Sequence, residues 1–202
     1  MTRKRLTREQ SKDQTRQRLI EAAQKIFTKK GYVASSVEDI AEAAGYTRGA
    51  FYSNFSSKSE LLMELLQRDH ERMQADMQSV MEGEVSPEEM KARAVDVYSR
   101  VCSDGECFLI WVEAKLLASR DAKFRVKLNA FIREKQDYIA KFIEAFCEQV
   151  GTPLPLPADM LAFGFMSLCD GAQFFHMSDP QQVTDAFTAS VLGAFLTRVM
   201  FG

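Results

Sequence analysis

Apolar residues recur along this chain at helical spacing, and no stretch alternates strictly between apolar and polar in the manner of a half-buried strand. Leu19, Ala22, Ala23, Ile26 and Phe27 share one helical face, and Gly31 follows as a stop. Val37, Ile40, Ala41 and Ala44 repeat at i, i+3, i+4, i+7, with Ser36 or Ser35 as a cap and Gly45 as the end. Thr47 then opens a very short helix through Asn54, with Phe51 and Phe55 facing inward. Ser57 and Glu60 frame the start of a long helix from Lys58 to about Met81. Ser86-Pro87-Glu88-Glu89 starts another, carried by Met90, Ala94, Val97 and Val101. A helix over 106–118 is apolar on nearly every side and is expected to be central. A longer one over 121–150 carries Phe124, Leu128, Phe131, Tyr138, Phe142 and Phe146. Gly151 and three prolines interrupt the chain before two last helices, about 158–177 and 180–201, the latter capped by Asp179-Pro180. The pattern predicts an all-α fold of nine helices.

The most informative stretch is SVEDIAEAAGYTRGAFYSNFSSK, residues 36–58. Two turns of helix, a glycine turn and a short second helix make a helix-turn-helix, whose second helix enters the major groove. Val37, Ile40, Ala41, Ala44, Phe51 and Phe55 supply its inner face. Thr47, Arg48, Gly49, Ala50, Tyr52, Ser53 and Asn54 point the other way and are small or able to hydrogen-bond. Small residues let the backbone approach DNA, and Arg can bond guanine at two atoms. Lys58, just past the helix, suits a phosphate as a point charge.

Composition at first opposes this. The 202 residues are 46% hydrophobic and 27% charged, with a net charge of −2. The total hides a division. Residues 1–58 hold 12 Lys and Arg against 6 Asp and Glu, a net of +6, and the remainder nets −8. The basic part contains the helix-turn-helix, which is where phosphate binding needs the charge. Arg3, Lys4, Arg5 and Arg8 precede the expected helices and read as a flexible arm over residues 1–11 that reaches phosphates or a minor groove. A solubilising tail is the alternative.

The stretch DIAEAAGYTRGAFYSNFSSKSEL resembles the DNA-binding segment of the TetR family of bacterial transcriptional regulators. The IA-x-x-AG turn, the pair Tyr52 and Phe55, and the ending Ser56, Lys58, Leu61 carry the resemblance, and AAQKIFTKKGY before them fits as well. Tyr46 and Asn54 depart from the usual pattern, standing where valine and a histidine or tyrosine are common. The resemblance implies a DNA-binding domain over 12–57 and a ligand-binding and dimerisation domain over 58–202. It places Arg48, Gly49, Ala50 and Tyr52 where the family reads bases. It places Ser36, Thr47, Tyr52, Ser53, Asn54 and Lys58 where the family contacts phosphates. The partners implied are a palindromic operator DNA, a second copy of the chain and a small-molecule effector, apolar or aromatic, that releases a repressor. The long helix from Lys58 would transmit that change.

The family's ligand pocket lies within the C-terminal bundle, where Phe108, Trp111, Glu113, Phe131, Tyr138, Phe142 and His176 are the candidate contacts. Most aromatic residues there, including Phe163, Phe165, Phe174 and Phe175, are expected to be core. Glu113 is the one carboxylate on a nearly apolar helix. It needs a partner, either Arg120, Arg133 or the ligand. Small residues along the last two helices, among them Gly164, Gly171, Ala189 and Gly193, permit close approach, and in the family those helices pair across the dimer.

Other chemistries find little support. No paired histidines, nucleophile elbow or phosphate loop is present, so neither an enzyme nor a cofactor is expected. His70 and His176 are far apart in sequence, and Cys102, Cys107, Cys147 and Cys169 have no metal spacing. The cysteines read as reduced thiols of a cytoplasmic protein, with a redox pair of Cys102 and Cys107 as the alternative. No apolar run follows the basic start or is long enough to span a membrane.

Overall fold

The computed structural model describes residues Thr7 to Phe201. Nine helices and no strand occur among them: α1 (Arg8–Lys30), α2 (Val37–Ala43), α3 (Arg48–Tyr52), α4 (Lys58–Val80), α5 (Pro87–Val101), α6 (Gly105–Arg120), α7 (Ala122–Val150), α8 (Ala158–Ser178) and α9 (Asp185–Phe201). The expected all-α, nine-helix architecture is therefore present in the described residues.

Local signals explain most boundaries. Thr7 accepts from the Gln10 N–H, and the Gln10 side chain returns to the Thr7 N–H. That reciprocal box starts α1 at Arg8, earlier than expected, because it satisfies two amides with no helical partner. Residues 8–11, read as part of a flexible arm, are helical; Arg3, Lys4 and Arg5 lie outside the described residues. Ser36 and Asp39 make the same box at α2. After α2, Gly45 takes φ 78°, and the Tyr46 N–H reaches back to the Ala41 carbonyl. That left-handed residue turns the chain into α3. The last helix starts later than its first signal. Asp179 does accept from the Gln182 N–H, but it makes only a turn there. Thr184 accepts from the Phe187 N–H and starts α9 at Asp185.

The chain forms two compact units. The first comprises the chain through Arg68 together with Leu109–Leu128. Its core holds Leu19, Ile20, Ala23, Phe27, Ile40, Phe51, Phe55, Leu61 and Leu62, all nearly inaccessible. Here α2 packs on both α1 and α3. The second unit comprises Asp69–Phe108 and the chain from Asn129. Val80, Met90, Val97, Phe146, Leu161, Phe165, Leu196 and Met200 pack together at its centre. Both α5 and α8 pack on α9. Gly193 serves the contact with α5, since an added Cβ would come within 3.0 Å of Val95. It is thus used inside the protomer, whereas a Cβ at Gly164 or Gly171 would meet open space.

Two expectations about burial change. The helix over 106–118 is not buried on every side: Phe108, Ile110, Ala114 and Ala118 form the buried stripe, and Leu116 is exposed. Phe165 is core, but Phe163, Phe174 and Phe175 are exposed, as are Phe187 and Phe195 on α9. The cysteines change more. Cys102 is bonded to Cys169, 67 residues away, and Cys107 and Cys147 are free. Nearness in sequence suggests Cys107 as a partner; the packing of α5 against α8 brings Cys169 to Cys102 instead, at a Cα separation of 5.4 Å.

Candidate functional site

A five-residue helix has little stability of its own. The α3 helix is held from below by Phe51 and beyond its end by Phe55, whose rings lie 5.7 Å apart and are almost wholly buried. Burying each contributes about 1.5–3 kcal/mol. Thr47 caps the helix by accepting from the Ala50 N–H at 3.3 Å. With the apolar side fixed, the opposite side is fixed too. Thr47, Arg48, Gly49, Tyr52 and Ser53 are exposed on it, and Ala50 is half-buried.

These residues differ in what they leave available. The Arg48 guanidinium lies 2.7 Å from Glu38 and 5.5 Å from the centre of the Tyr52 ring. Both neighbours are at the surface, so a stronger anion can displace them. Tyr52 stands on the edge of Phe51 and is 49% exposed. The Ser53 hydroxyl donates to the Gly49 carbonyl, and the Asn54 amide donates to the Ala50 carbonyl. Both bonds stay local to α3. The Asn54 carbonyl also accepts from Arg16, whose guanidinium lies 4.3 Å over the Phe55 ring and pairs with Glu64 at 2.6 Å. Ser36 is occupied in its capping box with Asp39. Asp39 in turn meets Lys30 at 2.9 Å.

Lys58 has partners within the protein. Its ammonium donates to the carbonyls of Tyr32 and Ser35, the latter at 2.6 Å, and sits 4.2 Å over the Tyr32 ring. Partial burial lowers its pKa. The positive charge thus ties the loop after α1 to the start of α4. The carbonyls that claim it lie 23 and 26 residues upstream, so spacing alone does not reveal them.

The candidate ligand residues are divided. Trp111 and Glu113 belong to the first unit. Glu113 lies against Gly31, where an added Cβ would come within 3.0 Å of its Oε1. In the second unit, Phe131 and Tyr138 come together edge-on around His70, at centroid distances of 5.5 and 5.8 Å. Phe108 packs on Phe174, and Phe142 stacks on Phe146. His176 bonds the Val183 carbonyl at 2.7 Å and approaches Asp185. His70 is not among the residues the sequence singles out for a ligand. It is 1% exposed, its Nδ1 has no hydrogen-bond partner, and burial lowers its pKa. No group of His, Cys, Asp and Glu among the described residues could hold a metal ion, and no helix among them is long and apolar enough to cross a membrane.

Residues 19–65 match the model for bacterial regulatory proteins of the tetR family. The match covers the segment that contains α2 and α3. Over 67 residues, the chain is 46% identical to the helix-turn-helix transcriptional regulator TtgR of Pseudomonas putida, covering 33% of the chain and 31% of that protein. It is 41% identical over 56 residues to AcrR of Shigella flexneri, covering 28% and 26%. The chain thus spans about a third or less of the length of these two curated relatives. Solved structures extend the likeness in fold to nearly the whole chain. Salmonella enterica GusR has a TM-score of 0.75 at 20% identity, covering 96% of this chain and 98% of its own. A transcriptional regulator from Saccharomonospora viridis in complex with choline has 0.74 at 20%, covering 93% and 98%. A SmeT–triclosan complex has 0.70 at 18%, covering 91% and 90%.

Proposed function

We propose that this chain is a TetR-family, ligand-responsive repressor that binds a palindromic operator as a homodimer and leaves it when a small molecule binds. The observation that carries the reading is the two-sided α3. Phe51 and Phe55 anchor one side, and Thr47, Arg48, Gly49, Tyr52 and Ser53 are exposed on the other. This is the arrangement that lets a short helix enter a major groove with its polar side outward. Arg48 and Tyr52 read bases or hold phosphates. The reader is residues 12–57, and sensing and dimerisation lie in 58–202.

The second copy is supported by the outer faces of α8 and α9. Met160, Phe163, Phe175, Phe187 and Phe195 are each more than half exposed. Large apolar side chains grouped in this way mark a protein interface. Twofold symmetry would present two α3 helices to successive grooves about 34–36 Å apart. An effector is supported by the choline and triclosan bound by structures of the same fold. Phe131 and Tyr138 around His70 offer aromatic surface and one buried polar atom for such a molecule. A regulator acting on chromosomal DNA works in the cytoplasm.

Selection of bound DNA from a random pool tests the reading. The expected product is a palindrome whose half-sites are one helical turn apart, or somewhat more. Arg48→Ala and Tyr52→Ala should each weaken its binding by about tenfold or more. Wild-type affinity in both variants would remove α3 from the interface.

A further inference from the structure

Disulfides are rare in the reducing cytosol, and those that occur there are usually transient. Cys102 and Cys169 nevertheless join two helices of the second unit. Cys102 is the residue that ends α5; its N–H bonds the Tyr98 carbonyl, and it is 2% exposed. Cys169 lies within α8 and is half-buried. One helical turn beyond it, the buried Gln173 side chain donates to the Cys102 carbonyl. A covalent link and a hydrogen bond therefore hold the end of α5 to one face of α8. Reduction removes the covalent part of that link and leaves the hydrogen bond. The same α5 and α8 both pack on α9, so the link bears on both of those seams.

We propose that Cys102 and Cys169 form a reversible thiol–disulfide switch through which the cell's low-molecular-weight thiol/disulfide couple sets the state of the sensor unit. The assignment rests on the DNA-binding reading above, because that reading places the chain in a reducing compartment. Exchange begins at Cys169, the more accessible sulfur. An incoming thiolate bonds its Sγ, the Cys102–Cys169 bond breaks, and Cys102 leaves as a thiolate that takes a proton. A second thiol then attacks the mixed disulfide and frees Cys169. The chain gains two protons and two electrons, and two small thiols become one small disulfide. Oxidation is the reverse. Cys107 is a poor attacker in either direction: burial, together with Asp69 and Asp104, pushes its thiol up to about 12 despite Arg72 at 2.9 Å.

Two measurements test the switch on the full chain. In bacterial cells expressing it, acid quenching and alkylation should trap Cys102 and Cys169 as thiols before stress and as a disulfide after diamide. A bond already complete before stress, or absent after diamide, overturns the proposal. Purified oxidised and dithiothreitol-reduced protein should then differ in affinity for the selected palindrome by about fivefold or more, the low end of usual allosteric coupling. Cys107→Ser should keep the difference, and the pair Cys102→Ser with Cys169→Ser should abolish it. Equal affinity of the two wild-type forms overturns the proposal without reliance on any variant. Trapping needs no DNA, so the switch and the DNA-binding reading fail separately.

Discussion

The Lys58 ammonium lies 2.6 Å from the Ser35 carbonyl and, through its bond to the Tyr32 carbonyl, closes the loop between α1 and α2 onto the first turn of α4. Removing it leaves two carbonyls without their charged donor. Lys58→Met, which keeps much of the stem, should destabilise the protein by about 1.5–3 kcal/mol, the usual worth of hydrogen bonds to a charged group. Urea denaturation measures this. A phosphate contact would instead lower the salt slope of DNA binding by about 1. The expected slope is unchanged, and a fall of that size would return Lys58 to the DNA.

Glu38 holds Arg48 at 2.7 Å with both side chains more than half exposed. Glu38→Gln should leave stability nearly unchanged, because an exposed pair contributes little. Its larger effect should be on binding, since DNA no longer displaces a carboxylate from Arg48. Titrations at low salt should show tighter operator binding, with the gain lost in Arg48→Ala. A weaker complex would mean that Glu38 presents Arg48 to the groove and does not compete for it.

Asp39 predicts how α2 responds to acid. Its carboxylate accepts from Lys30 and from the backbone and side chain of Ser36, and these contacts lower its pKa from 3.8 to about 2. A carboxylate depressed in the folded state contributes stability above its unfolded pKa and loses it as pH falls through the folded value. The window therefore runs from about pH 4 down to about pH 2. Asp39→Asn should flatten acid unfolding in that window while leaving its shape elsewhere unchanged. A wild-type profile in the variant would show that these contacts carry no linkage.

Helix starts were legible in sequence at α2, α3 and α5, where a side chain caps its own helix, but not at α1 and α9, whose caps are Thr7 and Thr184. Ser36, Thr47 and Ser86 each accept a backbone N–H three residues on. The outward set of α3 was legible for a related reason, because Phe51 and Phe55 fix its rotation. Partners distant in sequence were not legible. The carbonyls bound by Lys58, the pairing of Cys102 with Cys169 and the closeness of Glu113 to Gly31 all depend on how helices pack. Nor was His70, because one histidine on a helix has no periodic signature. Only its burial and unpartnered Nδ1 mark it.

The link between Cys102 and Cys169 closes a loop across 67 residues. Chain-entropy arguments value a loop of that length at about 4 kcal/mol. For a protein of this size, each kcal/mol shifts the melting temperature by about 2–4 °C. Dithiothreitol should lower the melting temperature by about 10 °C in wild type and by nothing in the double serine variant. An equal loss in both would trace the effect to something other than this bond.

The five residues of α3 divide their labour by side. Phe51 holds the helix to its domain, and Arg48, Gly49 and Tyr52 are exposed on the other side. If α3 reads DNA as proposed, its preference can therefore drift without passing through unfolded intermediates. One scaffold would then acquire a new address on the chromosome by substitutions that stability selection scarcely sees.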